Sequence, residues 1–190
     1  TQQYTEYLIY MLRLMRLVKH GRHKEATDYI GANPEPVTLG TAPFKEWYLE
    51  WVYACFNAVA AYMSTGNYPM ALRHLNNFLN TADPNLKQDV YCIGRVLNLL
   101  IHFELDNRDL LEYILESTHR YLKGKKRLFG FEKAILSFIK MSLDTDLQSD
   151  QNELFNQLRL KLIPLKKDPF EKNVFEYFDF IGWIERSIIT

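Results

Sequence analysis

Residues 52–84 read VYACFNAVAAYMSTGNYPMALRHLNNFLNTADP, in which two apolar-periodic segments flank the tight turn Ser64-Thr65-Gly66-Asn67. Small and aromatic residues recur on both sides of the turn at the spacing of helices that bury one face. Gly66 can adopt the positive φ that ends a helix abruptly, at no cost from a Cβ. The stretch therefore predicts two antiparallel helices joined at Gly66.

Tyr62 stands late in the first of these helices, Gly66 and Tyr68 at the turn, Ala71 early in the second, and Pro84 past its end. With these residues the stretch resembles one tetratricopeptide (TPR) repeat, a helix–turn–helix of about 34 residues that stacks on copies of itself. The resemblance implies that Ala71 is the small residue where the two helices cross, and that the chain holds another protein. Three positions depart from the family pattern. Pro84 falls one place late, Val59 replaces a small residue, and Cys55 stands where tryptophan is common.

Upstream, a first helix is expected from about Gln3 to His20, with Tyr4, Leu8, Met11, Leu12, Met15 and Val18 at helical spacing and Gly21 as its stop. The following GRHKEATDYI aligns with GNYPMALRHL of the central unit, pairing Gly21 with Gly66 and Ala26 with Ala71, so residues 3–32 read as a degenerate first repeat. Residues 31–43 contain Pro34, Pro36 and Pro43 and are expected to be a loop; Pro43 then opens a long helix reaching Ser64. Downstream, 89–105 and 109–122 form a third pair in which Asp106-Asn107-Arg108 replaces the glycine turn and Leu111 replaces the alanine. The stretch from Arg95 to Lys140 is similar to segments of uncharacterised bacterial TPR-like proteins. Helices are expected at 128–143 and 153–163, then a break between Pro164 and Pro169, then an aromatic helix 170–189 that caps the array. The fold class is thus all-α: three TPR-like pairs (3–32, 44–84, 89–123) and C-terminal helices 128–189, as one α-α superhelical domain over residues 1–190.

Lysine plus arginine and aspartate plus glutamate both number 23, so no global field favours nucleic acid or an anionic membrane. An apolar content of 47% argues against disorder. No apolar run approaches the roughly 18 residues of a membrane span, and the first residues lack the basic-then-apolar layout of a signal peptide. Because it begins at Thr1 instead of methionine, the chain is expected to be a piece of a longer protein. Cys55 and Cys92 lack metal-type spacing and read as buried reduced thiols, which suits a cytoplasmic setting.

His20 and His23 are three apart, but Gly21 breaks the helix between them. Residues 144–155 place Asp144, Asp146, Gln148 and Asp150 as a calcium loop would, yet Ser149 and Phe155 stand where the loop needs glycine and a bidentate glutamate. No metal or cofactor is expected. Phosphate loops, nucleophile elbows and HExxH helices are missing, so no catalytic residues and no enzymatic activity are expected.

Two binding surfaces remain. The TPR resemblance implies an inner surface of Leu8, Met11, Met15, Tyr53, Phe56, Asn57, Met63, Ile93, Val96 and Leu100. Only Asn57 matches the family's carboxylate clamp, so this apolar, methionine-bearing groove suits an amphipathic helix, supplied by a partner protein or by the chain's own C-terminal helix. The other surface is the basic run Arg120, Lys123, Lys125, Lys126 and Arg127, followed by Phe129 and Phe131. It offers an alternative function in binding nucleic acid or an acidic partner, although basic residues at a helix C-terminus are also favoured by the helix dipole.

Overall fold

Nine α-helices and one short 3-10 helix make up the described residues of the computed structural model, 2–34, 47–85, 88–145 and 148–188, with no strand among them. The helices are α1 (Gln2–Lys19), α2 (His23–Ala32), α3 (Tyr48–Ser64), α4 (Tyr68–Thr81), α5 (Gln88–Glu104), α6 (Arg108–Gly124), α7 (Gly130–Leu143), α8 (Gln148–Leu165) and α9 (Phe180–Ile188). The chain divides into two compact units, Thr1–Tyr91 and Cys92–Thr190. No composition shift marks the division, which falls within α5.

One turn recurs through the chain. Gly21 (φ 70°), Gly66 (φ 72°) and Asp106 (φ 52°) each end a helix in the left-handed conformation. In each case the residue donates to the carbonyl three back and its successor to the carbonyl five back: Gly21 to Val18 and Arg22 to Leu17, Gly66 to Met63 and Asn67 to Tyr62, Asp106 to Phe103 and Asn107 to His102. This is the Schellman closure, which satisfies carbonyls that the helix leaves open. Arg22, Asn67 and Asn107 then open α2, α4 and α6 with near-identical backbone angles (ψ 53°, 66° and 61°). Ala26, Ala71 and Leu111 donate to those three carbonyls and are all buried. The pairing of residues 21 and 26 with 66 and 71 thus corresponds to one repeated geometry, and the third pair keeps it without glycine or alanine.

A fourth turn of this kind ends α6 at Lys126 (φ 58°), with Lys126 donating to Lys123 and Arg127 to Leu122. The helix continues past Leu122, and Gly124 lies inside its last turn. A Cβ in the left-handed region costs about 1 kcal/mol. Lys126→Gly should therefore raise the thermal midpoint by several degrees, since about 1 kcal/mol shifts a domain of this size by that much. Calorimetry of the two proteins measures it.

Within the first unit, α3 is apolar on nearly every side, and eleven of its 17 residues are buried. α4 is amphipathic and turns Ala71, His74, Leu75 and Phe78 inward, at the i, i+3, i+4, i+7 spacing of one helical face. Phe78 meets Phe56 edge-on at 5.0 Å and Trp51 at 5.9 Å, while Tyr62 stacks on His74 at 5.3 Å. Cys55 and Cys92 are buried and form no disulfide, and burial pushes the Cys55 thiol far above its ordinary range. The expected opening of α3 at Pro43 and Phe44 lies outside the described residues.

In the second unit, Phe103 (α5), Phe138 (α7), Phe155 (α8) and Trp183 (α9) form one aromatic cluster. Centroid distances run from 4.9 Å for Phe138–Phe155 to 6.5 Å for Phe103–Trp183. Two expectations fail here. α8 carries Pro164 within its last turn instead of ending before it. The single helix expected over 170–189 is a 3-10 helix, Lys172–Glu176, and then the nine-residue α9. The reason is competition from short acidic side chains. Asp168 accepts from the amides of Phe170 (2.8 Å) and Glu171 (3.0 Å), and Asp179 accepts from Gly182 (3.1 Å), so both aspartates start turns where a continuous helix would need their backbones.

Candidate functional site

In the first unit α1 lies beside α3. Tyr4 and Tyr7 pack on Trp47 at 5.2 and 5.9 Å, and the Tyr4 hydroxyl donates to Glu50 (3.0 Å). α2 takes another flank of α1, where Tyr10 stacks on Tyr29 at 5.0 Å and the Arg13 guanidinium covers the Tyr29 ring. These contacts fix how α1 is rolled. Its buried stripe is Tyr7, Tyr10, Met11, Leu14 and Leu17, rotated from the stripe the sequence suggests. Leu12 is consequently 46% exposed, and Leu8 and Met15 are half-buried. On α3, Leu49 and Tyr53 are 44% and 48% exposed, and Asn57 is half-buried with its amide donating to the Tyr53 carbonyl (2.8 Å).

Of the expected inner surface, Leu8, Met15, Tyr53 and Asn57 reach solvent. Met11, Phe56, Met63, Ile93, Val96 and Leu100 do not: each is buried in the core, with no side-chain surface to offer a partner. Helical spacing places a residue on a stripe, but only the neighbouring helices decide which edge of that stripe stays open. Leu12 and Leu49 escape a sequence reading of the surface for the same reason, because an apolar residue beside an apolar stripe is indistinguishable in sequence from a member of it.

The basic run is partly taken up by the chain's own aromatics. The Arg127 guanidinium lies 5.1 Å from the Phe129 centroid, and the Lys125 ammonium lies 5.8 Å from that of Tyr121, whose ring also receives Arg95 at 4.9 Å. Arg120, Lys123 and Lys126 are exposed. Phe131, expected to interleave with the basic groups, is buried against Phe175 and Phe180.

Among the described residues no three histidine, cysteine or acidic side chains come together as a metal site would need. Asp146 of the calcium-loop-like segment lies outside those residues, as do the side chains of Gln148, Ser149 and Asp150. His102 is buried, accepts from the Asn107 amide at Nδ1 (3.1 Å), and is held by burial below the ordinary histidine value, which favours its neutral form.

One buried carboxylate carries no signal in the sequence. Glu132 is 1% exposed and accepts from the Phe129 amide (3.1 Å), while Glu171 caps the same helix start through the amides of Gly130 (3.1 Å) and Phe131 (2.6 Å). A Cβ on residue 130 would fall 2.7 Å from the Glu171 carboxylate, which would have to move to admit it. Burial raises the Glu132 carboxyl above its ordinary 4.5; its own and the Phe129 amides and Arg127 oppose the rise, and Glu171 adds to it. A raised carboxyl binds its proton more tightly in the folded state, so folding stability falls as pH climbs from 4.5 towards the folded value. Glu132→Gln keeps an acceptor for the Phe129 amide and removes the titration. Its stability relative to the parent should therefore rise between about pH 4 and about pH 7, by about 1.4 kcal/mol for each pH unit of displacement. Urea titrations at the two pH values read this directly.

Comparison with protein-family models, with curated proteins and with solved structures finds no match to this chain. No helix among the described residues is long and apolar enough to cross a membrane.

Proposed function

We propose that this chain is a TPR-like, non-catalytic interaction module of the cytoplasm, and that the α1–α3 face of its first unit holds an amphipathic helix of a partner protein. The observation that carries this reading is the apolar surface of exposed Leu12, Leu49 and Tyr53 and half-buried Leu8 and Met15 on two neighbouring helices. Solvated monomer surfaces rarely gather large apolar side chains in this way without a partner. The repeated Schellman turns at Gly21, Gly66 and Asp106 support the repeat reading. α9, with Trp183 in the aromatic cluster, serves as the cap of the second unit. Binding of nucleic acid through the basic run is less well supported, because Lys125 and Arg127 already cover the chain's own rings.

The test is affinity capture from source lysate with the parent and with a Leu12→Glu, Tyr53→Glu variant. Both changes lie at exposed positions, so the variant should melt near the parent. A protein retained by the parent and lost by the variant supports the proposal. Equal retention by both, or a turnover activity unaffected by the two changes, overturns it.

A further inference from the structure

A second surface, in the other unit, carries a more specific chemistry. α6 and α7 run antiparallel: the turn at Lys126 joins one pair of their ends, and at the other the Arg108 guanidinium donates to the Thr145 carbonyl (3.4 Å). Between them lies a groove of about 750 Å³ whose floor includes Leu115, Leu128, Leu136 and Leu143. The α6 stripe that lines it runs from Arg108 to His119, about 16 Å at 1.5 Å per residue, or roughly three helical turns.

Over most of the groove's length the two rims carry opposite charge, and only at one end do Arg108 on α6 and Asp144 past α7 reverse the pattern. Glu112 and Glu116 project from α6 at i, i+4 spacing, and Lys133 and Lys140 from α7 at i, i+7; all four are exposed. Among the described residues no ion pair joins these acids to these lysines, so the groove keeps both rims open on either side of its leucines. The charges are spread along the groove and do not converge on one point, which disfavours a small ion or metabolite. Their spacing matches successive turns of a helix laid along the floor.

We infer that the α6–α7 groove docks an amphipathic helix of a partner protein that carries an apolar stripe, basic residues along one flank and acidic residues along the other. The leucine floor takes the stripe, Glu112 and Glu116 face the basic flank, and Lys133 and Lys140 face the acidic flank. Exchanging the flanks of such a helix is equivalent to reversing its direction, so the rims also set the direction in which the partner lies. Rim charges select among partners more than they add affinity, and the floor supplies the attraction.

Three fluorescent synthetic helices of about 14 residues, about 21 Å and so long enough to span the groove, test this on the full chain. They share one leucine stripe and differ only in flanks: one mixed lysine and glutamate, one all lysine, one all glutamate. Fluorescence anisotropy should show the mixed peptide binding about tenfold tighter than either other, since four exposed pairs at about 0.2–1 kcal/mol each reach that ratio. Glu112→Lys with Glu116→Lys should move the preference to the all-glutamate peptide, and Lys133→Glu with Lys140→Glu should move it to the all-lysine peptide. Each reversal controls for misfolding of the other. The Leu12→Glu, Tyr53→Glu variant should bind as the parent does, which separates this surface from the α1–α3 face. Absence of binding, equal binding of all three peptides, preferences unmoved by both reversals, or loss of binding only in the α1–α3 variant overturns the inference.

Discussion

Trp183→Ala is expected to lower the stability of the second unit by about 3–5 kcal/mol, the range for truncating a fully buried aromatic ring. Trp183 is 2% exposed, and its ring meets Phe103, Phe138 and Phe155 with centroids at 6.5, 5.9 and 5.5 Å. Its indole N–H donates to the Glu104 carboxylate, so truncation also takes this donor from that acceptor. α9 is only nine residues long, too short to be stable alone, and it is held by Phe180, Trp183 and Ile184. Urea unfolding followed by far-UV circular dichroism measures the loss without relying on tryptophan emission. Trp183→Phe keeps much of the ring and loses the hydrogen bond, so it should cost clearly less than the alanine change. Equal costs for the two would place the stabilisation in the hydrogen bond and not in the cluster.

Ala71→Leu should cost about 1–3 kcal/mol, because an extra isopropyl group has to enter a packed interior. Ala71 has no exposed surface and sits on the buried face of α4, beside Leu75 and one turn from His74. Gly66→Val gives the contrasting case. Nothing lies within 4 Å of the Cβ that residue 66 would gain, so the whole effect is backbone strain at φ 72°. That strain is about 1–2 kcal/mol, and a β-branched residue sits worst in this conformation. Thermal melts of both variants separate crowding from backbone conformation. An Ala71→Leu protein that melts with the parent would mean the α3–α4 crossing has room to spare, and the comparison with a repeat crossing would lose its physical basis.

What is legible from sequence alone is local. Apolar spacing places the helices, and Gly21 and Gly66 mark turns because a positive φ selects glycine on its own chemistry. The turns at Asp106 and Lys126 carry no such mark. They hold the same conformation because the flanking helices pack, and that packing outweighs a backbone cost of about 1 kcal/mol. The end of α6 shows the limit most plainly: apolar spacing ends the helix at Leu122, yet it runs on to Gly124 and closes at Lys126, a left-handed position without glycine. The proline-marked break after α8 is legible, but the interruption of the expected helix 170–189 is hidden, since Asp168 and Asp179, which open its turns, look in sequence like ordinary polar positions of a helix.

The candidate surfaces follow the same division. Sequence determined that α1, α3 and α7 carry apolar residues at helical spacing and that charged residues are dense along α6. Only the tertiary structure decided that Trp47 packs against Tyr4 and Tyr7, a contact that rolls Leu12 outward and buries Met11. It alone set the acids of α6 across a leucine floor from the lysines of α7. The physical reason is that periodicity fixes the angular spacing of side chains about one helix axis, whereas exposure depends on the rotation of that axis against its neighbours. That rotation is chosen by the summed packing of rings such as Trp47, Tyr10 and Tyr29, which are distant in sequence and carry no local signal of one another.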